Sequence, residues 1–263
     1  MPRLLVFGLG YTASAFVRRL CPDWKVSATI RGADGPLLPS GEFGGITHIL
    51  VSIPPDEAGD PVLDRYSVAI AALPGLEWLG YLSTTGVYGT RDGGWVNETS
   101  EMRPTSPRAV RRISAEQGWR ALGAHVFRLA GIYGPSRNAF DALHAGTAKR
   151  IDAGPHVFSR IHVDDIATVL LASIAKPRPG AVYNVCDDEP APQEAAVAHA
   201  AHLLGIAPPP LVPLAEAALS PMARSFYADN KRVSNALIKR ELGVALAYPS
   251  YREGLAAILA AGG

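Results

Sequence analysis

Three small residues near the start of the chain, Gly8, Gly10 and Ala13, follow an apolar run at Leu4–Phe7 in the pattern Gly-x-Gly-x-x-Ala. This spacing could hold a diphosphate, because Gly8 permits a tight turn and Gly10 leaves the backbone open to phosphate oxygens. Ala13 lets the following helix pack close to the strand, with its first amide groups facing the phosphates. We therefore expect the backbone of residues 8–13 to bind a dinucleotide.

The end of the second apolar run indicates which dinucleotide to expect. In NAD sites an acidic residue about twenty positions after the glycines holds the ribose hydroxyls. No acid stands at the tip of Ala28–Ile30, whereas Arg31 lies at the distance expected for a 2′-phosphate. Such a charge-assisted contact contributes about 1.5–3 kcal/mol, equivalent to about ten- to a hundredfold in affinity, which favours NADP. NAD remains the alternative cofactor, because a longer second strand would place the carboxylate of Asp34 at its tip.

A second set of motifs begins at Leu82–Gly89, which reads Leu-Ser-Thr-Thr-Gly-Val-Tyr-Gly. The motifs that follow it, in chain order, start at Arg128 (Arg-Leu-Ala-Gly-Ile-Tyr-Gly-Pro), Arg160 (Arg-Ile-His-Val-Asp-Asp), Tyr183 (Tyr-Asn-Val), Asp187 (Asp-Asp-Glu-Pro), Asn230 (Asn-Lys-Arg-Val-Ser-Asn), Glu241 (Glu-Leu-Gly) and Tyr248 (Tyr-Pro). This ordered set, covering nearly the whole chain, resembles the extended branch of the short-chain dehydrogenase/reductases. That branch contains the NAD-dependent epimerases and dehydratases.

The resemblance implies a catalytic Ser or Thr together with a Tyr-x-x-x-Lys pair. In that mechanism the Tyr exchanges a proton with the substrate oxygen, while the Lys lowers the pKa of the Tyr and holds the nicotinamide ribose. The hydroxyl of the Ser or Thr orients the substrate carbonyl, and Thr84 matches its position. Arg108 stands at the Tyr position and Arg112 at the Lys position.

This departure removes the usual proton donor. A guanidinium stays protonated at all accessible pH, so Arg108 cannot act as a general acid or base, although Arg112 can still contact a ribose or a phosphate. The chain resembles the atypical, YeeZ-like members of the superfamily, which keep the glycine loop and lack the pair. The residues expected to contact the cofactor are Gly8, Gly10, Tyr11, Thr12, Ala13, Arg31, Ile53, Ser83 and Arg112.

Two tyrosines could supply the missing proton. Tyr88 follows the fourth predicted strand and Tyr133 the fifth, so both are expected near the nicotinamide, and with Thr84 they form the catalytic candidates. The alternative for each tyrosine is packing against the adjoining loop. His162 has a suitable pKa range for acid–base work, but we expect it to fix a strand-to-helix turn by a hydrogen bond.

No metal is expected. His199 and His202 have a spacing that can ligate a metal, but without a third ligand nearby they indicate one helix face. The acidic residues Asp187–Glu189 indicate a solvated turn. Cys21 and Cys186 are far apart and in no metal or redox spacing, so reduced cysteines are expected.

The elements that must position these residues alternate between strands and helices, which predicts an α/β fold of the Rossmann type, with a doubly wound parallel sheet. The predicted strands are Leu4–Phe7, Lys25–Ile30, His48–Ile53, Trp78–Ser83, His125–Leu129 and Ala181–Val185. The predicted helices are Ala13–Leu20, Asp64–Leu73, Ala109–Leu122 and Asp165–Ala175, the last capped by Asp164 or Asp165. Residues 1–186 form the predicted NAD(P)-binding domain. Residues 187–263 form a small, mainly helical lobe, to which residues 134–159 contribute, and residues 207–213 read as a stiff surface connection.

Composition narrows the functional classes. The 263 residues carry a net charge of +1, which gives no electrostatic support for nucleic-acid binding, and no apolar run is long enough to span a bilayer. Glycines interrupt the first apolar run, so we expect no cleaved signal peptide and a cytoplasmic protein.

Two functions are compatible with the sequence. One hypothesis is an NADP-dependent oxidoreductase or epimerase-like enzyme for a small molecule. The other is a catalytically silent sensor whose bound nucleotide sets the conformation of the small lobe. A homodimer is the default expectation.

Overall fold

The computed structural model describes residues 1–29 and 43–262. In these ranges the strands are, in chain order, β1 (Arg3–Phe7), β2 (Lys25–Thr29), β3 (His48–Val51), β4 (Trp78–Thr84), β5 (Trp95–Val96), β6 (His125–Leu129), β7 (Gly131–Tyr133), β8 (Arg150–Asp152), β9 (Arg160–His162), β10 (Val182–Val185), β11 (Leu211–Pro213) and β12 (Arg232–Val233). The α-helices are α1 (Tyr11–Val17), α2 (Pro61–Ala71), α3 (Pro107–Ala121), α4 (Ala139–His144), α5 (Val163–Ala175), α6 (Gln193–Leu203), α7 (Pro221–Ser225) and α8 (Tyr251–Ala260). Short 3-10 turns cover Thr85–Tyr88 and Phe226–Ala228, and a π-helical turn covers Ile238–Leu242.

The central sheet is parallel and runs in the order β10-β6-β4-β3-β1-β2 among the described residues. Strand β1 therefore lies between β2 on one side and β3 on the other, and the strand order reverses there. In open parallel sheets, ligands bind at the carboxyl ends of the strands at such a reversal. The predicted α/β Rossmann-type fold is confirmed.

Alternate residues of β1 face opposite sides of this sheet, because successive side chains of a strand point to opposite faces. Leu4 and Val6 pack in a core with α1 and α5, whereas Leu5 and Phe7 pack in a second core with α2 and α3. Apolar residues on both faces produce the continuous hydrophobic runs that make these strands visible in the sequence.

The strands match the predicted ones closely, with β6 at the predicted bounds and β3 ending at Val51 instead of Ile53. The helices begin two to three residues earlier than predicted. Helix α2 begins at a proline after the capping Asp60, and α3 begins at a proline after the capping Ser106. A polar cap followed by proline is a helix-start signal, and it explains why both helices begin earlier than their apolar pattern predicts. The predicted aspartate cap of α5 is wrong, because His162 caps that helix.

Smaller parallel strand pairs accompany the central sheet in the described residues: β5 with β12, β7 with β9, and β8 with β11. Residues 207–213 are therefore more than the predicted surface connection, since β11 pairs with β8. Apolar residues after position 230 pack in the same core as β1 and α5; they are Val233, Ile238, Leu242 and Val244. A third core joins α4, α6 and α8 around Tyr133 and Phe140.

Candidate functional site

The glycine loop connects β1 to α1 at the reversal of strand order. Gly8 has a φ of 89°, and its amide donates to Thr29 Oγ1 at 2.9 Å. A Cβ at Gly8 would lie 2.8 Å from Ile53 Cγ1, so the chain after β3 approaches the loop closely. Both the positive φ and this approach require glycine at position 8. Ile53, one of the residues expected to contact the cofactor, accordingly lies beside the loop.

Gly10 leaves room outside the loop. It precedes α1 in an extended conformation (φ −86°, ψ −168°), and no side chain in the described ranges caps this helix. A Cβ at Gly10 would meet no described atom within 4 Å. Ala13 is fully buried in the core beneath, and Thr12 is almost so. The first amides of α1 therefore border open space, and the residues behind them pack against the sheet.

The side chain of Tyr11 contacts the turn after β7. Its hydroxyl donates to the carbonyl oxygen of Pro135 at 2.9 Å, and the Arg137 guanidinium lies 5.8 Å from the centre of its ring. Tyr11 can therefore contact a phosphate through its backbone amide, while its side chain connects the glycine loop to the turn at residues 134–137.

At the end of β4, Thr84 and Tyr88 have different surroundings. Thr84 is half-buried, and its Oγ1 accepts from the amide of Gly86 at 3.1 Å, which leaves its hydroxyl proton free to donate. Tyr88 is fully buried; its hydroxyl donates to Asn184 Oδ1 at 2.7 Å and accepts from Arg128 at 2.9 Å. Burial raises the pKa of Tyr88. Thr84 therefore lies half-buried at the end of β4, whereas the Tyr88 hydroxyl is bonded within the protein interior.

An ion pair between Arg128 and Glu116 lies beneath this strand end. Both side chains are at least 97% buried, and their closest nitrogen–oxygen distance is 2.7 Å. Ser83, one of the predicted cofactor contacts, donates to the Glu116 carboxylate at 2.5 Å. Glu116 was not among the residues predicted for the site. The available signal was an arginine inside the apolar run of β6, since a charged residue is rarely buried without a partner.

The two arginines at the Tyr and Lys positions, both near the start of α3, differ in burial. Arg108 is exposed in the first turn, whereas Arg112 is 93% buried. Arg112 donates to the Tyr81 hydroxyl and to the carbonyl oxygen of Leu82, both at 2.9 Å. The described hydrogen bonds of Arg112 are thus with β4, and its contact with a ribose or phosphate stays a prediction.

Tyr133 and His162 lie together behind the turn at residues 134–137. The Tyr133 hydroxyl donates to the carbonyl oxygen of Ser250 at 3.2 Å, and its ring meets the His162 ring edge-on. Burial, assisted by the Asp187 and Asp165 carboxyls, raises the pKa of Tyr133 well above its usual range. His162 Nδ1 accepts from the amide of Asp164 at 3.2 Å, so the expected turn-fixing bond is confirmed.

The acidic turn after β10 is less solvated than predicted. Asp187 is only 1% exposed, and its carboxylate oxygens have no hydrogen-bond partner within the described part of the chain. Asp188 and Glu189 do pair with cations, Lys239 and Arg252. The prediction of a solvated turn is therefore wrong for Asp187, which faces inwards.

Arg31 and Asp34, on which the choice between NADP and NAD depends, lie outside the described residues. A group of three or more metal-ligating side chains does not occur in the described ranges. His199, considered with His202 as a ligand pair, meets the Tyr251 ring edge-on. None of the described helices is long and apolar enough to cross a bilayer.

A parallel sheet with a glycine loop at its reversal point defines a Rossmann-type dinucleotide fold. No family model matches the chain. The 3-diazoavenalumate denitrifying reductase of a Streptomyces species is 30% identical over 161 residues, 56% of this chain and about half (51%) of that reductase. Protein YeeZ of Escherichia coli K12 is 23% identical over 243 residues, 80% of this chain and 86% of YeeZ.

Solved structures extend the comparison. A conserved protein of unknown function from Silicibacter pomeroyi DSS is 51% identical with a TM-score of 0.93, covering 99% of both chains. dTDP-glucose 4,6-dehydratase of Bacillus anthracis, in complex with NAD, shares the fold at 18% identity and a TM-score of 0.74, covering 99% of this chain and 96% of its own. RMD of Pseudomonas aeruginosa, complexed with NADPH, shares it at 18% identity and a TM-score of 0.67, covering 98% of both chains. These likenesses support the predicted resemblance to the NAD-dependent epimerase/dehydratase superfamily, whose fold the chain shares.

Proposed function

We propose that this chain is an oxidoreductase that binds a nicotinamide dinucleotide at residues 8–13 and acts on a small polar molecule. The observation that carries the proposal is Gly10 at the reversal of strand order: a Cβ there would meet no described atom, and no described side chain caps the first turn of α1. Phosphate oxygens bind such backbone amides readily. The fold neighbours that hold NAD or NADPH support a nicotinamide dinucleotide as the ligand.

The residues of the site divide between binding and orientation. The nucleotide, when bound, supplies hydride-transfer chemistry. Thr84 orients a substrate oxygen, because its hydroxyl proton is not used by the protein contact it makes. Arg108, exposed at the start of α3, can stabilise a developing negative charge without transferring a proton. Tyr88 and Tyr133 are not proposed as proton donors, because their hydroxyls are engaged inside the protein.

The named relatives favour an enzyme over the sensor. The Streptomyces relative is a reductase, and the dehydratase among the fold neighbours also catalyses a reaction.

We also propose a homodimer through α2 and α3, which flank the middle of the sheet. Each of these helices has an exposed valine, Val68 and Val110.

Replacing Gly10 with alanine tests the cofactor site. The backbone of Gly10 is extended, and the new methyl group meets no described atom, so the melting temperature is expected to stay unchanged. The methyl group would occupy space needed by the diphosphate, and we expect at least about a tenfold loss in affinity for NADPH and NADH, equal to about 1.4 kcal/mol. Titration calorimetry measures both affinities.

Gly75→Ala is the matched control, because a Cβ there also meets no described atom and Gly75 is not in the glycine loop. Its affinities should equal those of the wild type. Wild-type protein that binds neither nucleotide at millimolar concentration would refute the proposed function. If Gly10→Ala and the wild type bind the nucleotides with equal affinity, the dinucleotide does not bind at this loop.

We further propose that the nucleotide is NADP(H), on the sequence position of Arg31. Arg31→Ala should lower the affinity for NADPH by about ten- to a hundredfold, because a contact with the 2′-phosphate is lost. The affinity for NADH should change little. Parallel titrations with both nucleotides measure this selectivity, and equal losses would exclude Arg31 as the selecting residue.

A further inference from the structure

The turn after β7 is fixed at both of its ends. It consists of residues 134–137, and we call it the proline turn because Pro135 is its second residue. Gly134 and Arg137 exchange two backbone hydrogen bonds, of 3.1 and 3.0 Å. Asn138 caps the next helix, α4, and its side-chain nitrogen donates to the carbonyl oxygen of Gly134 at 3.1 Å. The backbone of the proline turn is therefore held in one conformation.

Two residues of the proline turn have unusual backbone angles. Ser136 has a φ of 60°, in the left-handed region, and follows a proline, which is typical of a type II turn. Gly134 has a φ of 155°, and a Cβ on it would lie 2.6 Å from the Tyr11 hydroxyl oxygen and 2.8 Å from Val163 Cγ1. A serine in the left-handed region is uncommon and persists where the surrounding structure requires it. The proline turn is therefore packed closely against Tyr11.

Tyr11 connects the proline turn to the glycine loop. It directly follows Gly10, and its hydroxyl donates to the carbonyl oxygen of Pro135 at 2.9 Å, across 124 positions of sequence. Burial raises the pKa of Tyr11, so the phenol keeps the proton that it donates. The glycine loop after β1 and the proline turn after β7 are therefore neighbours in the folded protein.

Arg137 is the charged residue of the proline turn. It is exposed, and its guanidinium carbon lies 5.8 Å from the centre of the Tyr11 ring. The guanidinium is therefore no farther from the backbone of Tyr11 than this distance plus the length of the tyrosine side chain. The flexible stem of an exposed arginine lets its head group move towards a ligand at the glycine loop.

The nearby carboxylates do not neutralise Arg137. Asp141 accepts from the amide of Asn138 at 3.0 Å, within the cap of α4. Asp164 lies in the first turn of α5, 3.7 Å from His162 Nδ1. Among the described residues, no carboxylate is within ion-pair distance of the Arg137 guanidinium. Its planar fork of donors is free to pair with phosphate oxygens.

We propose that Arg137 binds the diphosphate of the nicotinamide dinucleotide, and that Tyr11 is a positioning residue that holds the proline turn beside the glycine loop. The inference rests on the proposed function, because it assigns a further residue to the same site. The backbone amides of residues 8–13 would donate to the phosphate oxygens without a full charge, and Arg137 would supply the positive charge.

Replacing Arg137 with methionine tests the assignment on NADPH, NADH and ADP-ribose, which share the diphosphate. The residue is exposed, so the melting temperature without ligand should stay within about 1–2 °C of the wild type. In calorimetric titrations at low salt, the affinity for all three ligands should fall by the same factor, about tenfold. At about 1 M salt the factor should shrink, because charge pairs in contact with solvent are screened.

Two further variants at exposed arginines complete this measurement. Arg137→Lys keeps the charge but not the planar fork, so it should lose less affinity than Arg137→Met. Arg240→Met is the control, because Arg240 is an exposed arginine of the turn Ile238–Leu242, outside the proposed site. It should bind all three ligands as the wild type does.

Tyr11→Phe tests the positioning role. The substitution removes the hydrogen bond to Pro135 and keeps the aromatic ring, so we expect about a two- to fivefold loss in affinity for each ligand. The double variant with Arg137→Met should bind no more weakly than Arg137→Met alone, because Tyr11 acts through Arg137. Losses that add in full would show that Tyr11 does not position Arg137.

The remaining outcomes separate the assignment from the proposed function. A wild type that binds none of the three ligands at millimolar concentration would refute both. If the wild type binds them and Arg137→Met binds equally well, Arg137 is a surface residue and only the assignment is wrong. A loss confined to NADPH would place the guanidinium at the 2′-phosphate, and a loss that spares ADP-ribose would place it at the nicotinamide. A loss that does not respond to salt would mean that the substitution alters the turn and not a charge pair, again contrary to the assignment.

Discussion

Replacing Glu116 with alanine will lower the free energy of unfolding by about 3–5 kcal/mol, because it leaves the Arg128 guanidinium buried without its counter-ion. Arg128 is 3% exposed, and its three nitrogens donate to Glu116, the Tyr88 hydroxyl and the Met102 sulfur. For a chain of this size we expect a fall in melting temperature of about 6–20 °C. Chemical denaturation measures the free energy, and calorimetry the melting temperature.

Gln117→Ala is the control on the same helix, because Gln117 is exposed next to Glu116 and should change stability little. The double variant Glu116→Met with Arg128→Met should be more stable than the sum of the two single losses, since it removes both charges. A loss below about 1 kcal/mol for Glu116→Ala would mean that water or another cation compensates the arginine, contrary to the geometry.

The ion pair between Glu116 and Arg128 also holds residues on both sides of Thr84 in place. Glu116 accepts from Ser83, and Arg128 donates to Tyr88, so residues just before and after Thr84 are bonded to the pair. Glu116→Ala should therefore weaken nucleotide binding only through disorder at the end of β4. A variant that remains folded at low temperature should keep most of its NADPH affinity there.

Much of the fold could be predicted because its signals are local. The glycine pattern predicted the turn after β1, and continuous apolar runs predicted the sheet strands within two residues of their observed bounds. The inward position of Arg112 also had a local signal. Ala109, Arg112, Glu116 and Trp119 recur at spacings of three and four, which places them on the buried face of α3.

The chemistry of the two tyrosines could not be predicted in this way. The bond of Tyr88 to Asn184 joins residues 96 apart in sequence, and the bond of Tyr133 to Ser250 joins residues 117 apart. Nothing in the local sequence distinguishes a tyrosine that faces a cleft from one whose hydroxyl finds a buried partner.

Asp187→Asn will stabilise the protein at alkaline pH and flatten the dependence of its stability on pH. Burial raises the pKa of the Asp187 carboxyl from 3.8 to about 8. The neighbouring Arg160 guanidinium donates to the carbonyl oxygens of Phe158, Ala191 and Pro192, and forms no bond to Asp187. The carboxyl is therefore protonated in the folded state near neutral pH and ionised in the unfolded state.

The direction of the effect follows from proton linkage. Between pH 4 and pH 8 the folded state holds a proton that the unfolded state has released, so the free energy of unfolding falls as the pH rises through this range. A difference of about four pKa units sets an upper limit of about 5–6 kcal/mol. Asparagine resembles the protonated acid and does not titrate. We expect it to add at least about 2 kcal/mol at pH 8.5, about 4–8 °C in melting temperature, and little at pH 4.

Denaturation curves of wild type and variant at pH 4, 6 and 8.5 measure this difference, and subtraction removes the contributions of the other buried carboxyls, Asp60, Glu98 and Asp165. Asp23→Asn, at an exposed position, is the control for the substitution itself and should follow the wild-type curve. A variant less stable than wild type at pH 8.5 would show that the ionised Asp187 is bound by a cation in solution, because only a stabilised carboxylate makes its removal costly. In that case Arg160, whose charge lowers the pKa of Asp187, would have to leave its carbonyl partners to bind the carboxylate.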